Sequence, residues 1–559
     1  MGAPLQPPVM VLQEYPLVAS LGIGALTGIF FYILFWHWTH PLRKYPGPFL
    51  AKFTNIYRLY RTVRGNYYND LVEMHRKYGP VVRTAPNVLD IDYPEMIKTV
   101  FNIKGDWAKT EFYLSSSVLV NGHPVYNLFS ELDKAKHAEE KKLVSKLYFP
   151  NAVLSLEPHM DTAITQLCSE LETRFIDTKD HNDEPKEGKV LDLGDWISLY
   201  AWDVLGTVTF SRPFGYMSSG RDFDGSIARA QDAMFYFAWV GCLPWLDYVF
   251  DKNPFPFISN LLGQPGFSKT NSALSVQRLI DRYAGKDAEF LDTSTPDYLQ
   301  KFMAIKQKDK SGKIRDENIV GWLMINTLAG ADTTAIAIKT ALYHCAKQPR
   351  VWRRLQRELQ VAERGYGPWA ETAKARTPPI SYKTARAIPY LEAIVRESLR
   401  ILPGIALPLE RYVPPSGVHL PTRGTEKTKD FIPGNQGCIL SFTPYTLNRH
   451  EAVFGSDSDQ FRPERWLRDE NNRESEEDFR ERLQKMNNTD LSFGGGSRVC
   501  LGKHMGLMQA YKVLGTLAAR YELDWVGEDG QDEWKVVQSW FPRQEGIKVR
   551  MRWCLPKGR

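Results

Sequence analysis

The sequence predicts a mainly α-helical protein with small β-sheets, on three observations. Stretches with helical spacing recur, at His137–Tyr148, Asp316–Lys347, Ile388–Arg400 and the apolar run from Met505 to Leu514. Strand signals are short: Val81–Ile91 has the β-branched residues and central turn of a hairpin, and Ile547–Met551 reads as a last strand. Of 559 residues, 43% are apolar and 24% charged, a globular balance with ample material for a core. The net charge of +6 is mild and spread out, so no nucleic-acid partner is expected, although a local patch could dock an acidic protein. Six cysteines (Cys168, Cys242, Cys345, Cys438, Cys500, Cys554) lack CxxC spacing, which argues against a disulfide framework or zinc site and for a reducing compartment.

Leu17–Trp38 contains no charged residue. A helix of that length spans about 33 Å, enough for a bilayer core. Trp36 and Trp38 stand at one end, where aromatic belts form. A cleaved signal peptide fits poorly, because Glu14 is the one charge before the span and no basic region precedes it. Arg43, Lys44 and Lys52 follow, so the positive-inside rule leaves residues 1–16 lumenal and the bulk of the chain cytosolic. The sequon at Asn487 then never meets the glycosylation machinery. Within residues 39–52, the prolines and glycine of His40–Pro48 make a stiff, non-helical hinge between the transmembrane helix at 17–38 and a globular part at 53–559.

The chemistry centres on Phe493-Gly494-Gly495-Gly496-Ser497-Arg498-Val499-Cys500-Leu501-Gly502. Glycines let a backbone approach something flat and large without a Cβ in the way. Cys500 sits where this loop feeds a helix N-terminus, whose free N–H groups stabilise a thiolate. A thiolate held so is what axial ligation of a haem iron needs. Arg498 could reach a haem propionate, and Phe493 could cover the sulfur side. A glycine turn before a buried cysteine is the other reading of these residues. The full pattern resembles the haem-binding loop of the cytochromes P-450, matching Phe493, Gly496, Arg498, Cys500 and Gly502. The proline-rich connector is similar to that of microsomal members, most like those of filamentous fungi.

Other segments fit that resemblance in family order. The family's Trp-xxx-Arg pair is replaced here by His137 and Lys141, so they either hold a propionate or belong to a solvated lysine-rich face with Lys134, Lys136 and Lys142. Met234–Phe257, crowded with aromatics and broken by prolines, is either the family's mobile roof over substrate, able to dip into the membrane surface, or ordinary core. Leu328-Ala329-Gly330-Ala331-Asp332-Thr333-Thr334 puts a glycine, an acid and a hydroxyl in mid-helix, where Thr333 can bond back to a carbonyl and bend the axis. It resembles the family's oxygen-activating helix, in which Asp332 and Thr333 would be the acid–alcohol pair. Glu397 and Arg400, three apart on one helical face, form either a solvated salt bridge or, with Arg465 of Phe461–Trp466, the family's buried triad behind the haem, a folding role. Pro403–Arg411 would run along the haem edge, with Ile405–Leu409 facing substrate and Arg411 on a propionate. Ser539–Pro542 would be the last substrate-facing loop. Ile176–Val190, Arg423–Asp430 and Asp469–Arg482 are charged and read as surface loop, insertion and solvated segment.

The resemblance covers roughly residues 40–559 and identifies the chain as a member of the cytochrome P-450 family. It implies a mostly helical fold with small sheets and one catalytic domain around haem b. Cys500 would be the axial iron ligand, and electrons would come from an NADPH-dependent reductase. One atom of O2 would be inserted into a lipophilic small molecule, of fungal secondary metabolism by the look of the sequence. An endoplasmic reticulum membrane location with the catalytic domain cytosolic follows. Two other classes remain: a haem-thiolate isomerase or dehydratase, and a membrane haem- or sterol-binding protein without turnover. A protein without turnover has no need of Asp332 and Thr333.

Overall fold

The computed structural model describes residues 16–120, 123–176, 188–253, 267–292, 294–363, 378–421, 430–434, 436–469, 473–527 and 532–554. The charged stretches 177–187 and 422–429, and the last four residues of the aromatic-rich segment, 254–257, lie outside them.

Helix α1, Pro16–Thr39, carries no charge, and Ile23, Phe30, Phe31 and Phe35 on it are exposed. A short 3-10 turn at Pro41–Lys44 follows, capped by the His40 ring, which accepts from Leu42 N–H at 3.2 Å. The connector is seated: Leu42 and Tyr45 are buried, and Arg83 N–H donates to the Pro46 carbonyl at 2.7 Å. Helix α2, Lys134–Val144, starts on Asp133, whose carboxylate accepts from Ala135 and Lys136 N–H. The predicted helix runs on to Tyr148 only as a tighter 3-10 turn. Helix α3, Leu193–Phe210, is buried along its length, and α4 covers Ser226–Val240.

The single helix predicted over 316–347 is two, α5 (Asp316–Gly330) and α6 (Asp332–Lys347), broken at Ala331. Thr333 Oγ1 donates to Ala329 O at 2.7 Å and Thr334 Oγ1 to Gly330 O at 3.0 Å, the back-bonding that bends a helix. A Cβ on Gly330 would lie 2.9 Å from Leu205, so glycine lets α3 pack against the break. Residues 316–347 have the length and composition to cross a membrane, yet the most apolar window is 67% buried within the protein, as befits a core helix. Helices α7 (Pro389–Ile401) and α8 (Lys503–Arg520) pack against α6, and their apolar faces share one core cluster with α3 and α5.

The predicted hairpin is present as β1 (Val81–Ala85) and β2 (Val88–Ile91), with an irregularity between Arg83 and Ala85. Two distant segments complete the sheet, β3 (Leu409–Tyr412) and β4 (Ile439–Phe442), in the order β1-β2-β4-β3. The β2–β4 pairing is parallel, with Leu89 opposite Leu440. The predicted last strand, Lys548–Trp553, pairs with Tyr521–Trp525 and with Leu191–Asp192. A hairpin of Lys535–Val537 and Arg543–Glu545 brackets Ser539–Pro542 and turns Trp540 inward, where it is 1% exposed.

Behind α8, Glu397 and Arg400 face each other as a two-bond fork, Nε to Oε2 and Nη2 to Oε1, each 2.8 Å. Arg465 Nε donates to the same carboxylate at 3.3 Å, Trp466 Nε1 at 2.9 Å and Arg462 N–H at 2.8 Å. Arg400 also donates to the carbonyls of Asn448, Ser458 and Gln460. These arginines and hydrogen bonds outweigh burial and hold Glu397 below the usual carboxylate range. The triad is buried, so its residues are not a solvated salt bridge.

Candidate active site

The loop Phe493–Gly502 is built on two glycines in the left-handed region, Gly494 (φ 68°) and Gly496 (φ 60°). A Cβ on Gly496 would lie 2.7 Å from the carbonyl oxygens of Phe101 and Asn102, and one on Gly495 would lie 2.8 Å from Phe101 Cβ. The triple glycine therefore serves a close approach within the protein. Cys500 N–H closes the loop on Phe493 O at 2.8 Å, and α8 begins three residues later. Enclosed by the chain, Cys500 is nevertheless accessible, because its free surface is cavity wall. Burial pushes its thiol up, against the pull of the N–H groups of Gly502 and Lys503 and the charges of Lys141 and Lys503. Phe493 also lines the cavity, with the Lys503 ammonium 5.5 Å from its ring centre.

The cavity measures about 310 Å³. Cys500 and the loop form one part of its wall, and Ala329, Gly330 and Thr333 at the helix break form another. A roof of packed rings comes from segments far apart in sequence: Phe112, Tyr113 and Phe129, Phe237 of α4, and Trp540. The Phe237–Trp540 centroids lie 4.9 Å apart, Phe112–Phe237 5.2 Å and Phe129–Trp540 5.9 Å. Of the roof predicted at Met234–Phe257, Met234 and Phe237 line the cavity, whereas Trp245 and Tyr248 are exposed. A buried ion pair braces it: Lys252 Nζ meets Asp247 and donates to Leu114 O at 2.7 Å, while Tyr236 Oη donates to Asp247 at 2.7 Å.

One region of the wall gathers His137, Lys141, Arg411 and Arg498, all foreseen, and Lys109, which sequence reasoning missed. Arg498 donates to the carbonyls of Glu131 (2.6 Å) and Leu132 (3.3 Å), just before α2. Arg411 donates to Glu410 O at 2.6 Å and Tyr113 Oη at 3.3 Å. Lys141 Nζ donates to Ser497 O at 2.7 Å, tying α2 to the loop, while Lys134, Lys136 and Lys142 form the exposed face. Burial and the neighbouring cations push His137 down to about 3 and Arg498 to about 10, and hold Lys109 well below its ordinary value. None of the five makes an ion pair with a carboxylate among the described residues. His137 is neutral, but Lys109, Lys141 and Arg498 are buried or half-buried and each is pushed down by burial and its cationic neighbours, an arrangement that is costly unless a ligand supplies counter-charge. An accessible sulfur at a helix N-terminus and this patch in one cavity fit a flat iron tetrapyrrole bearing two carboxylates.

Thr333 lines the cavity, but Asp332 is not part of the wall. Its Oδ1 accepts from Trp202 Nε1 of α3 at 3.2 Å. Burial raises its carboxyl above the usual range, against the Trp202 hydrogen bond and the Lys339 charge. Trp202 is a second residue the sequence did not reveal, because its link to α6 joins positions 130 apart.

The family model for cytochrome P450 matches residues 45–537. The chain is 37% identical over 541 residues to cytochrome P450 monooxygenase cfoH of Aspergillus candidus, covering 97% of this chain and 94% of that protein. It is 32% identical over 514 residues to cytochrome P450 monooxygenase cicH of Emericella nidulans, covering 91% and 94%. A cytochrome P450 monooxygenase of Aspergillus terreus is 32% identical over 483 residues, covering 86% and 90%. With a glycine loop carrying an accessible cysteine, a broken helix and a cation patch meeting in one cavity, and with relatives matched over nearly the whole length, the chain is an enzyme of the cytochrome P450 monooxygenase family.

Proposed function

We propose that the chain is a membrane-anchored haem-thiolate monooxygenase inserting one atom of O2 into a lipophilic small molecule of fungal secondary metabolism, with electrons from an NADPH-dependent reductase. The observation that carries this reading is the meeting of Cys500, the unpaired cations and Thr333 in the wall of one cavity. Haem b, held by Cys500, supplies the binding and reductive activation of O2. The chain's own residues do the rest. Arg411 and Arg498 hold the cofactor carboxylates, Lys141 fixes the loop carbonyls beside the sulfur, and the aromatic roof excludes water. Thr333 Oγ1 spends its own proton on Ala329 O, so its lone pairs remain to accept from a water in the cavity. Asp332, kept protonated more readily by burial, is the proton source, and it must exchange its Trp202 bond before serving the Thr333 side. Helix α1, uncharged and with exposed apolar side chains, supports an anchor in the endoplasmic reticulum membrane, and the basic residues after it support a cytosolic catalytic domain.

The test is the reduced protein under carbon monoxide, which should show the red-shifted Soret band of thiolate ligation, absent in Cys500→Ser. With NADPH, reductase and 18O2, one labelled oxygen should enter the product. Product forming without NADPH or oxygen would replace this reading with an isomerase.

A further inference from the structure

In the monooxygenase reading, on which this inference rests, Asp332 gives up protons at each turnover and must be reloaded. Its Trp202 bond turns it away from the cavity, into the interface of α3 and α6. Two contacts fix the register there. A Cβ on Gly330 would lie 2.9 Å from Leu205, and Trp202 Nε1 reaches Asp332 Oδ1 at 3.2 Å. Moving back along α3 is thus matched by moving forward into α6, so the helices run antiparallel. Two turns further, about 10.5 Å along each axis, the same register sets Asp195 of α3 opposite Lys339 of α6.

Lys339 is 5% exposed, whereas Asp195 stands at the surface. Side chains on a helix lean towards its N-terminus, so the lysine arm lies back along α6 towards Asp332. Burial pushes Lys339 down, against the charges of Asp195, Asp332 and Asp192, while Arg543, paired with Glu545 at 2.7 Å, adds to the push. Burial, Asp192 and Glu545 raise the Asp195 carboxyl, against Lys339. Ser198, buried and one turn on from Asp195, brings a hydroxyl to the same face of α3. The strand Arg543–Glu545 touches both helices. From it, Gln544 Nε2 donates to Ile336 O at 3.0 Å and to Thr340 Oγ1 at 2.8 Å, while its buried Oε1 has no partner. A buried acceptor left so calls for a water. A polar seam therefore runs from solvent to the back of the cavity wall, past the apolar Leu199, Ala335 and Ile336.

We propose that Lys339 returns protons to Asp332, drawing them from solvent through Asp195 along the α3–α6 seam. The ammonium gives a proton to the Asp332 carboxylate, which leaves an amine and a carboxylic acid. The amine then takes a proton back from water at Asp195. Lys339 acts through Asp332, as a positioning residue for the acid that serves Thr333.

The haem-loaded full chain is followed by infrared spectroscopy, with the Asp332 carboxyl band assigned by its absence in Asp332→Asn. Two properties are read from that band: the pH, between 5 and 9, at which it disappears, and its rate of exchange on passing from H2O to D2O. Lys339→Arg keeps the charge but does not release its proton, so the titration should stay while exchange slows about tenfold or more. Lys339→Met should slow exchange likewise and move the titration to higher pH, because the positive neighbour is lost. Asp195→Asn, at the exposed mouth, should slow exchange several-fold without disturbing the core. Haem content and the carbon monoxide spectrum should match the wild type in all three. Exchange at the wild-type rate in either Lys339→Arg or Asp195→Asn overturns the inference. So does the absence of any Asp332 band down to pH 5, since Asp332 would then hold no proton to replace. A wild-type protein without the thiolate spectrum overturns the haem reading instead, and leaves the exchange result standing.

Discussion

Two clusters of arginines obey opposite rules, one around Glu397 and one that includes Arg498 of the Cys500 loop itself. Around Glu397, each charge is met: two arginines share one carboxylate, an indole and a backbone N–H complete it, and Arg400 spends its remaining donors on three carbonyls. Around Arg411 and Arg498, the donors find carbonyls and a phenol, and the cations repel one another. A saturated cluster is complete without a ligand. An unsaturated one is a site awaiting negative charge, and the difference can be read from partners alone.

Glu397→Gln should separate them most strongly. Removing that carboxylate leaves Arg400 buried without an acid and Arg465 with Asp457 alone, at 2.9 Å, and breaking a buried pair in this way costs about 3–5 kcal/mol. The expected outcome is a large fall in Tm, with or without haem. A Tm within a degree of the wild type would mean that the triad does not hold the scaffold.

Arg411→Met should do the reverse. Relieving repulsion should leave the cofactor-free protein at least as stable as before, while haem transfer to an excess of a haem-scavenging globin speeds up roughly tenfold, the scale of losing a charge-assisted hydrogen bond. Equal falls in stability with and without haem would make Arg411 a structural residue like Arg400.

What the sequence showed of these two clusters follows from distance along the chain. The loop and the Glu397–Arg400 pair are local patterns, as is the threonine that back-bonds at the α5–α6 break. Arg411 and His137 could be placed only through resemblance to a family. Lys109 lay outside every motif, because it becomes a site residue only when Phe129, Arg411 and Arg498 fold around it. The parallel β2–β4 pairing was equally hidden, since it joins residues about 350 apart and neither strand alone signals its partner. Asp332 was visible as an acid next to a hydroxyl, but helical geometry turns adjacent residues about 100° apart, and so Trp202 claims it while Thr333 meets the cavity.

That split gives a smaller prediction. Thr333→Ala should keep the haem spectrum and substrate binding while product per NADPH falls several-fold, because the water at the helix break loses its anchor. Asp332→Asn should slow turnover and leave that ratio closer to the wild type, since its carboxylate acts from behind the wall. If both variants lower product per NADPH equally, the two residues act as one unit, and the Trp202 contact has no bearing on catalysis.

The smallest expected effect comes from a third kind of buried cation, one whose pairing depends on pH. His75 Nε2 lies 2.8 Å from Asp90 Oδ1, and its Nδ1 lies 3.0 Å from Gly79 O. Asp90 Oδ2 accepts from Ser441 Oγ at 2.6 Å and Thr443 Oγ1 at 2.9 Å, which ties β2 to β4 and the segment after it. Burial alone would lower the imidazole, but the hydrogen bond and charge of Asp90, aided by Asp92 and the Gly79 carbonyl, raise it above its ordinary 6.5. Only the charged ring can donate to Asp90 and Gly79 at once. A raised folded-state value means that this contribution is fully present below pH 6.5 and is lost as pH rises through the raised value. The stability gap between wild type and His75→Gln should therefore be widest near pH 6, on the order of 1 kcal/mol, and should narrow towards pH 9. Glu397→Gln should show no such narrowing, since its arginines keep their charge throughout that range. A gap for His75→Gln that stays constant from pH 6 to 9 would mean that the ring is neutral and that the pair is an ordinary hydrogen bond.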